Sequence, residues 1–247
     1  MKLVLKKEDI LNGINIVSRA IPTRTTNPVL ECILFDAVSE IKLVANDMDL
    51  GIETIVEGEI KEKGKIALDA KLITDIIRKA DSNESYIEIE SDSSYLTTIK
   101  CDNSVFKIKG RDGEEFPYLP YIEKNNYISI SQFTLKEVLR QTIFSAAVND
   151  NNRMMGGEFI EVRNDKVRFT TLDGHRISIR NIEMKDSYGE EKAIVPVRSL
   201  NEISKIVSGD NEKEILIFFE KNHLLFEFDK TRVVCGIIVK INKFFIL

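Results

Sequence analysis

The sequence predicts an α+β chain built as a tandem repeat, and three observations carry that expectation. Short runs of β-branched and aromatic residues are interrupted by four amphipathic helical segments. The two halves present these elements in the same order. Matched features also recur at a nearly constant offset: Asp47 and Asp173 lie roughly 126 residues apart, Lys71 and Arg198 roughly 127, and Ile87 and Ile215 roughly 128. Chance likeness between two α+β halves is the alternative, and the shared order of elements weighs against it.

The first helix is expected over residues 7–20, where Ile10, Leu11, Ile14 and Val17 recur at helical spacing. The second is expected over 69–80, with Asp69 as N-cap and Leu72, Ile73, Ile76 and Ile77 as its buried stripe. Thr134 to Glu137 fits a capping box, so the third helix is expected to begin at Thr134 and to bury Leu135, Val138, Leu139 and Ile143. Ser199 to Glu202 repeats that signature ahead of Leu200, Ile203, Ile206 and Val207, and Gly209 stands where a C-terminal cap belongs. Strands are expected at 33–38, 41–45, 86–89, 95–100 and 105–109, then at 158–162, 166–171, 176–182, 215–220 and 223–229. Asn164-Asp165 and Lys221-Asn222 supply turns. Residues 111–120, with Gly113, Pro117 and Pro120, read as a linker, which gives domains 1–120 and 121–247.

Composition narrows the function. The chain has 247 residues, 43% of them hydrophobic and 30% charged, with a net charge of −5. That is the make-up of a folded soluble protein rather than a disordered one. No apolar run approaches the ~20 residues of a membrane helix, and the N-terminus lacks a signal peptide's apolar stretch, so a cytoplasmic location and no membrane partner are expected. Cys32, Cys101 and Cys235 are scattered, which argues against a disulfide framework or a zinc site. Two histidines, His175 and His223, leave little material for a histidine-based centre, and no metal or other cofactor is expected.

The charge is unevenly placed. Residues 2–24 carry +3, residues 64–80 carry +2, and residues 134–148 and 198–208 carry +1 each. These helical segments thus hold +7 within a chain of −5, which leaves −12 for the remainder. Lys71 and Arg78 are seven apart and share a helix face, and Lys136 and Arg140, four apart, share another. A set of basic helix faces in an acidic protein suits a polyanion bound through its phosphates, without reading of bases. Ordinary solvated helix faces are the plainer reading.

Residues 171–176, Thr-Leu-Asp-Gly-His-Arg, form the most polar cluster of the second half. Asp173 and His175 invite an acid/base reading, as in a hydrolase or transferase. However, no nucleophile elbow, P-loop or glycine-rich fingerprint accompanies them. A tight Asp-Gly turn whose exposed side chains bind a partner fits better.

Five stretches together resemble the bacterial DNA polymerase III beta subunit family, the replication sliding clamps. They are residues 24–30 (Arg-Thr-Thr-Asn-Pro-Val-Leu), 46–50 (Asn-Asp-Met-Asp-Leu), 112–120 with Glu115-Phe116-Pro117, 144–147 (Phe-Ser-Ala-Ala) and 171–176. Asp-Gly-His-Arg after a strand is the most specific of them, and the likeness runs from residue 1 to about residue 234. The resemblance implies a repeated α+β clamp domain with helices on the inner face and antiparallel sheets outside. Three such domains per chain and two chains, a homodimer, close a ring around double-stranded DNA. It implies a non-catalytic processivity factor that tethers DNA polymerase III and is opened by a clamp loader. Both partners are held through a short peptide motif.

By position, the resemblance places Arg24 and Asn149 at DNA. Helix-face logic adds Lys71, Arg78, Lys136, Arg140, Arg198 and Lys205. The partner-peptide groove is expected at Thr171, Leu172, Gly174, His175, Arg176 and Ile177, with Met155 as an apolar wall. From about residue 235 the sequence departs from the family and ends in an apolar, basic tail, where the family continues into a third domain. The expectation is a truncated clamp without that domain, which cannot close the ring and keeps half of the groove. A peptide-binding module that does not encircle DNA is the alternative.

Overall fold

The structure is a computed structural model and describes residues 1–79, 82, 85–147 and 152–240. The chain divides into two compact units, Met1–Leu119 and Pro120–Leu247.

In the first unit, β1 (Lys2–Lys6) turns Leu3 and Leu5 inward and runs directly into α1 (Lys7–Val17). Glu8 and Asp9 occupy the first turn of α1, where negative charge complements the helix dipole. Ile10, Gly13, Ile14 and Val17 form its buried face. A β-carbon at Gly13 would come within 2.5 Å of the Val56 side chain, so glycine there lets the helix lie close on the sheet. One sheet contains β2 (Cys32–Ala37), β3 (Ile41–Asn46), β4 (Leu50–Val56), β6 (Gly64–Asp69) and β10 (Arg111–Asp112), in the order β10-β6-β2-β3-β4. The other has the order β5-β1-β7-β8-β9, with β5 (Glu59–Glu62), β7 (Tyr86–Ser91), β8 (Leu96–Cys101) and β9 (Ser104–Lys109). All of these pairings are antiparallel.

The second helix, α2 (Ala70–Arg78), is capped as the sequence predicts: the Asp69 carboxylate accepts the Leu72 N–H at 2.8 Å. Its buried stripe is Ala70, Ile73, Ile76 and Ile77; Leu72, expected inside, is half exposed because it projects beside Lys71 rather than toward the sheets. The segment read as a linker is tied down along most of its length. Arg111 and Asp112 pair with Ala67 and Ile66. Asp112 caps the Gly113–Glu115 turn and accepts the Tyr95 hydroxyl at 2.6 Å. Phe116 is buried among Val29, Leu30, Cys32, Leu34, Val44 and Ala67, with Leu119 packed on the same cluster.

The second unit repeats the scheme. β11 (Tyr127–Ser131) leads into α3 (Gln132–Thr142), followed by 3-10 turns at Ile143–Ser145 and Arg153–Gly156. Tyr127, Gln132, Ile143 and Arg153 each start an element 125 positions after its counterpart starting at Lys2, Lys7, Ser18 and Pro28. Next come β12 (Gly157–Leu172), β13 (Ile177–Pro196) and α4 (Val197–Ile206). The unit then ends with β14 (Glu214–Phe219), β15 (His223–Phe228), β16 (Thr231–Gly236) and β17 (Val239–Lys240). One sheet runs β16-β15-β14-β11 and the other β12-β13-β17, again antiparallel.

Three expectations are corrected here. α3 starts two residues before Thr134: Ser131 is the cap, its hydroxyl accepting the Thr134 N–H at 3.1 Å, and Glu137 pairs with Arg140 instead of closing a capping box. α4 starts at Val197 after Pro196, which offers no side-chain cap, and Ser199 is buried within the first turn. The strands expected at 158–162 and 166–171 form one long β12, with its register broken around Asn164, a residue at φ +52°. The departing tail is also held as far as it is described. Ile238 donates its N–H to the Ile194 carbonyl at 2.7 Å, and Val239 pairs with Ile194 on the edge of β13. Residues 241–247 lie outside the described residues.

Among the described residues no helix is long and apolar enough to cross a membrane, and no cluster of acidic, histidine or cysteine side chains has the make-up of a metal site. The three cysteines are free and buried.

Candidate nucleic-acid interface and partner groove

In each unit the two helices pack against one another over the sheets, so their outer faces are what remains for solvent. On α2 that face carries Lys71 and Arg78, both exposed, opposite the buried Ile73 and Ile77. They line a groove between α1 and α2 together with Asn15, Arg19, Thr74 and Asp75. Neither Lys71 nor Arg78 makes a side-chain ion pair among the described residues. Arg24 is exposed on the stretch after α1, whose backbone is fixed by Thr25 accepting the Asn27 N–H at 3.0 Å and by Asn27 capping the Pro28–Glu31 turn.

In the second unit the predicted bases are more engaged. Arg140 makes a two-pronged pair with Glu137 at 3.1 and 2.7 Å. Lys205 pairs with Glu202 at 2.6 Å. Lys136 donates to the Val207 carbonyl at 3.0 Å, which satisfies the end of α4. Arg198 is exposed in the first turn of α4. Exposed pairs of this kind are weak, so a phosphate can compete for Arg140 and Lys205, but both arrive with a carboxylate already beside them. Asn149 lies outside the described residues.

The second predicted site is the turn between β12 and β13. The Asp173 N–H donates to the Arg176 carbonyl at 3.2 Å, and one Asp173 oxygen accepts the N–H groups of His175 and Arg176, both at 3.0 Å. Its other oxygen accepts Arg176 Nε at 2.8 Å. Gly174 sits at φ +86°, in the left-handed region. The His175 N–H foremost, with Arg176, holds the Asp173 carboxyl below the usual carboxylate range. That carboxylate is engaged in shaping its own turn.

Gly174, His175, Arg176 and Ile177 are exposed, while Leu172 and Met155 are half-buried. Thr171 differs from the others. It is 1% exposed, and its hydroxyl donates to the Thr142 carbonyl at 2.5 Å, so it braces the end of β12 from the core side. Ile179 joins Ile177 on one face of β13, at 53% and 60% exposure, and Phe144 and Met154 are exposed on the two neighbouring 3-10 turns. These three additional apolar groups were not picked out from sequence. The alternation of Ile177 and Ile179 was the available signal, and it reads equally well as an ordinary half-buried strand.

Two family models match the chain: the DNA polymerase III beta subunit N-terminal domain over residues 1–120 and the central domain over residues 129–239. The beta sliding clamp of Halalkalibacterium halodurans is 33% identical over 239 residues, covering 92% of this chain and 62% of that protein. A crystal structure described as a DNA polymerase III beta subunit from Eubacterium rectale superposes with a TM-score of 0.94 at 52% identity, over 99% of this chain and 66% of that one. The DNA polymerase sliding clamp of Bacillus subtilis superposes at 0.92 with 27% identity, over 96% of this chain and 64% of that one. The chain therefore spans a little under two thirds of the length of these proteins.

Proposed function

Because the chain belongs to the DNA polymerase III beta subunit family, the bacterial sliding clamps, we propose that it serves as the DNA-facing and partner-binding part of a cytoplasmic, non-catalytic processivity clamp. In this reading residues 1–120 and 121–247 act as the first and second clamp domains. The helix faces, with Lys71, Arg78 and Arg24 in the first and Lys136, Arg140, Arg198 and Lys205 in the second, lie along the phosphates of duplex DNA. Contact through phosphates holds the duplex without fixing a sequence, which is what a part that must slide requires. In the homodimeric ring that the resemblance implies, this chain would contribute the first two domains of a subunit.

The observation that carries the reading is the basic face of α2, where Lys71 and Arg78 line one groove without an ion pair among the described residues, in a chain of net charge −5. The test is anisotropy of two labelled duplexes of equal length and unrelated sequence. Equal affinities, lowered alike by the Lys71→Gln/Arg78→Gln pair, support it. A strong preference for one sequence, or binding untouched by the pair, overturns it.

A specific observation also supports a partner site on the second unit. Two exposed isoleucines, Ile177 and Ile179, stand beside a rigid Asp173 turn that presents His175 and Arg176. An apolar anchor of a short peptide from the polymerase catalytic subunit or the clamp loader would pack on the isoleucines, with the turn supplying polar contacts.

A further inference from the structure

Glu158 is fully buried, and neither of its carboxyl oxygens has a hydrogen-bond partner among the described residues. It is the second residue of β12, the place that Ile33 takes in β2, and Ile33 is fully buried as well. A glutamate thus stands where the repeat uses an isoleucine. Its cross-strand partner on β13 is Val195, and Ile160 and Val162 follow it on the inner face of the strand. From α3 the polar group acting on it is the Thr142 hydroxyl, and no charged side chain of the described residues contributes.

Thr142 donates its own proton to the Val138 carbonyl at 2.8 Å. That proton is therefore not available to Glu158, and the carboxyl stands beside this point without a hydrogen bond of its own. Around this point run two further bonds: Thr171 to the Thr142 carbonyl at 2.5 Å, and Ser145 to Ser178 at 2.6 Å. They join the end of α3 and its 3-10 turn to the two strand ends that flank the Asp173 turn.

We propose that Glu158 is buried as the neutral acid beside this seam, and that its ionisation loosens the seam and both strand ends of the groove. The inference rests on reading that turn as the partner groove, and it names what loosens that groove. Burial in an apolar surround disfavours the charged form and pushes the carboxyl from its ordinary 4.5 up to about 8.

The sign of the effect follows. An opened seam lets Glu158 ionise above about 4.5, whereas the closed seam does so only above about 8. Closing is therefore favoured at low pH, progressively less so between those values, and no further change occurs above 8. Hydrogen exchange of residues 142–145 and 171–178 reads this directly and involves no peptide, so it is decided separately from the groove's role. The full chain is compared with Glu158→Gln, which keeps the shape and cannot ionise, and with Glu158→Met, which needs no partner. The ratio of wild-type to Gln exchange rates in those segments is expected to rise at least about tenfold from pH 5 to pH 8, with strands β7 to β9 unaffected. If Glu158→Gln does not fold, the same rise is expected against Glu158→Met. A ratio that stays constant with pH, or that changes equally throughout the chain, overturns the proposal.

Discussion

Asp47 and Asp173, 126 positions apart, build the same turn in the two units. One oxygen of Asp47 accepts the N–H groups of Asp49 and Leu50 at 3.0 and 2.7 Å, as Asp173 does for His175 and Arg176. In both turns the aspartate N–H bonds the carbonyl three residues on, and the next residue is left-handed, Met48 at φ +76° and Gly174 at φ +86°. The first unit thus holds a methionine in a conformation that the second assigns to glycine. Left-handed backbone costs a side-chain-bearing residue roughly 1–2 kcal/mol.

The pair of turns predicts opposite responses. Gly174→Ala should destabilise the second unit by about 1 kcal/mol although open space surrounds the new β-carbon. Met48→Gly should be neutral or mildly stabilising, since relief of the backbone offsets the added freedom of the unfolded chain. Urea denaturation of both variants checks this, and equal losses would show that the turns are not equivalent.

Asp173 also predicts an acid response. Its carboxyl titrates below its ordinary 3.8, so the stabilisation it gives is present above that value and disappears as the pH falls through the lower folded value. Asp173→Asn should therefore be less stable than wild type at pH 7, with the difference shrinking as the pH falls below 3.8. Melting curves across that range test it.

Glu158→Met should raise stability. Replacing an unpartnered buried acid by an apolar side chain of similar volume removes a desolvation penalty of about 1–3 kcal/mol at neutral pH. The gain should be smallest near pH 4.5 and level off above about 8, where the folded carboxyl itself ionises. Differential scanning calorimetry at pH 5 and pH 8 measures both the size and the trend.

Phe116→Ala should cost about 3–5 kcal/mol, because the ring is 1% exposed in the cluster under β2 and β6. A change within about 0.5 kcal/mol by urea denaturation would mean that residues 111–119 are a tether after all.

Much of this architecture was legible in the sequence. The repeat, the four helices and the Asp69 cap follow from spacing and side-chain chemistry that act within a few residues. The helix starts at Gln132 and Val197 did not, because Ser131 and Pro196 end strands, and a capping box drawn from Thr134 or Ser199 competes with that tertiary placement. Leu72 was misplaced for a related reason: its spacing fits the buried stripe, but only the packing decides which edge of a stripe faces water. At the sites, residue type gave the cations of α2 and the Asp173 turn. It did not give the carboxylates that engage Arg140 and Lys205, nor the inward direction of Thr171. Those depend on rotamers and on strand register.

The central claim is that the basic face of α2 holds duplex DNA through its phosphates. The most direct test is the slope of log Kobs against log salt for a short duplex, measured for wild type and for Lys71→Gln/Arg78→Gln. Removing one cation from a phosphate should flatten the slope by roughly 0.9, so the double variant should flatten it by about 1.8, and Arg140→Gln/Lys205→Gln by less, since Glu137 and Glu202 already offset those cations. An unchanged slope in the α2 variant would contradict the account and leave Lys71 and Arg78 as solvated surface charge.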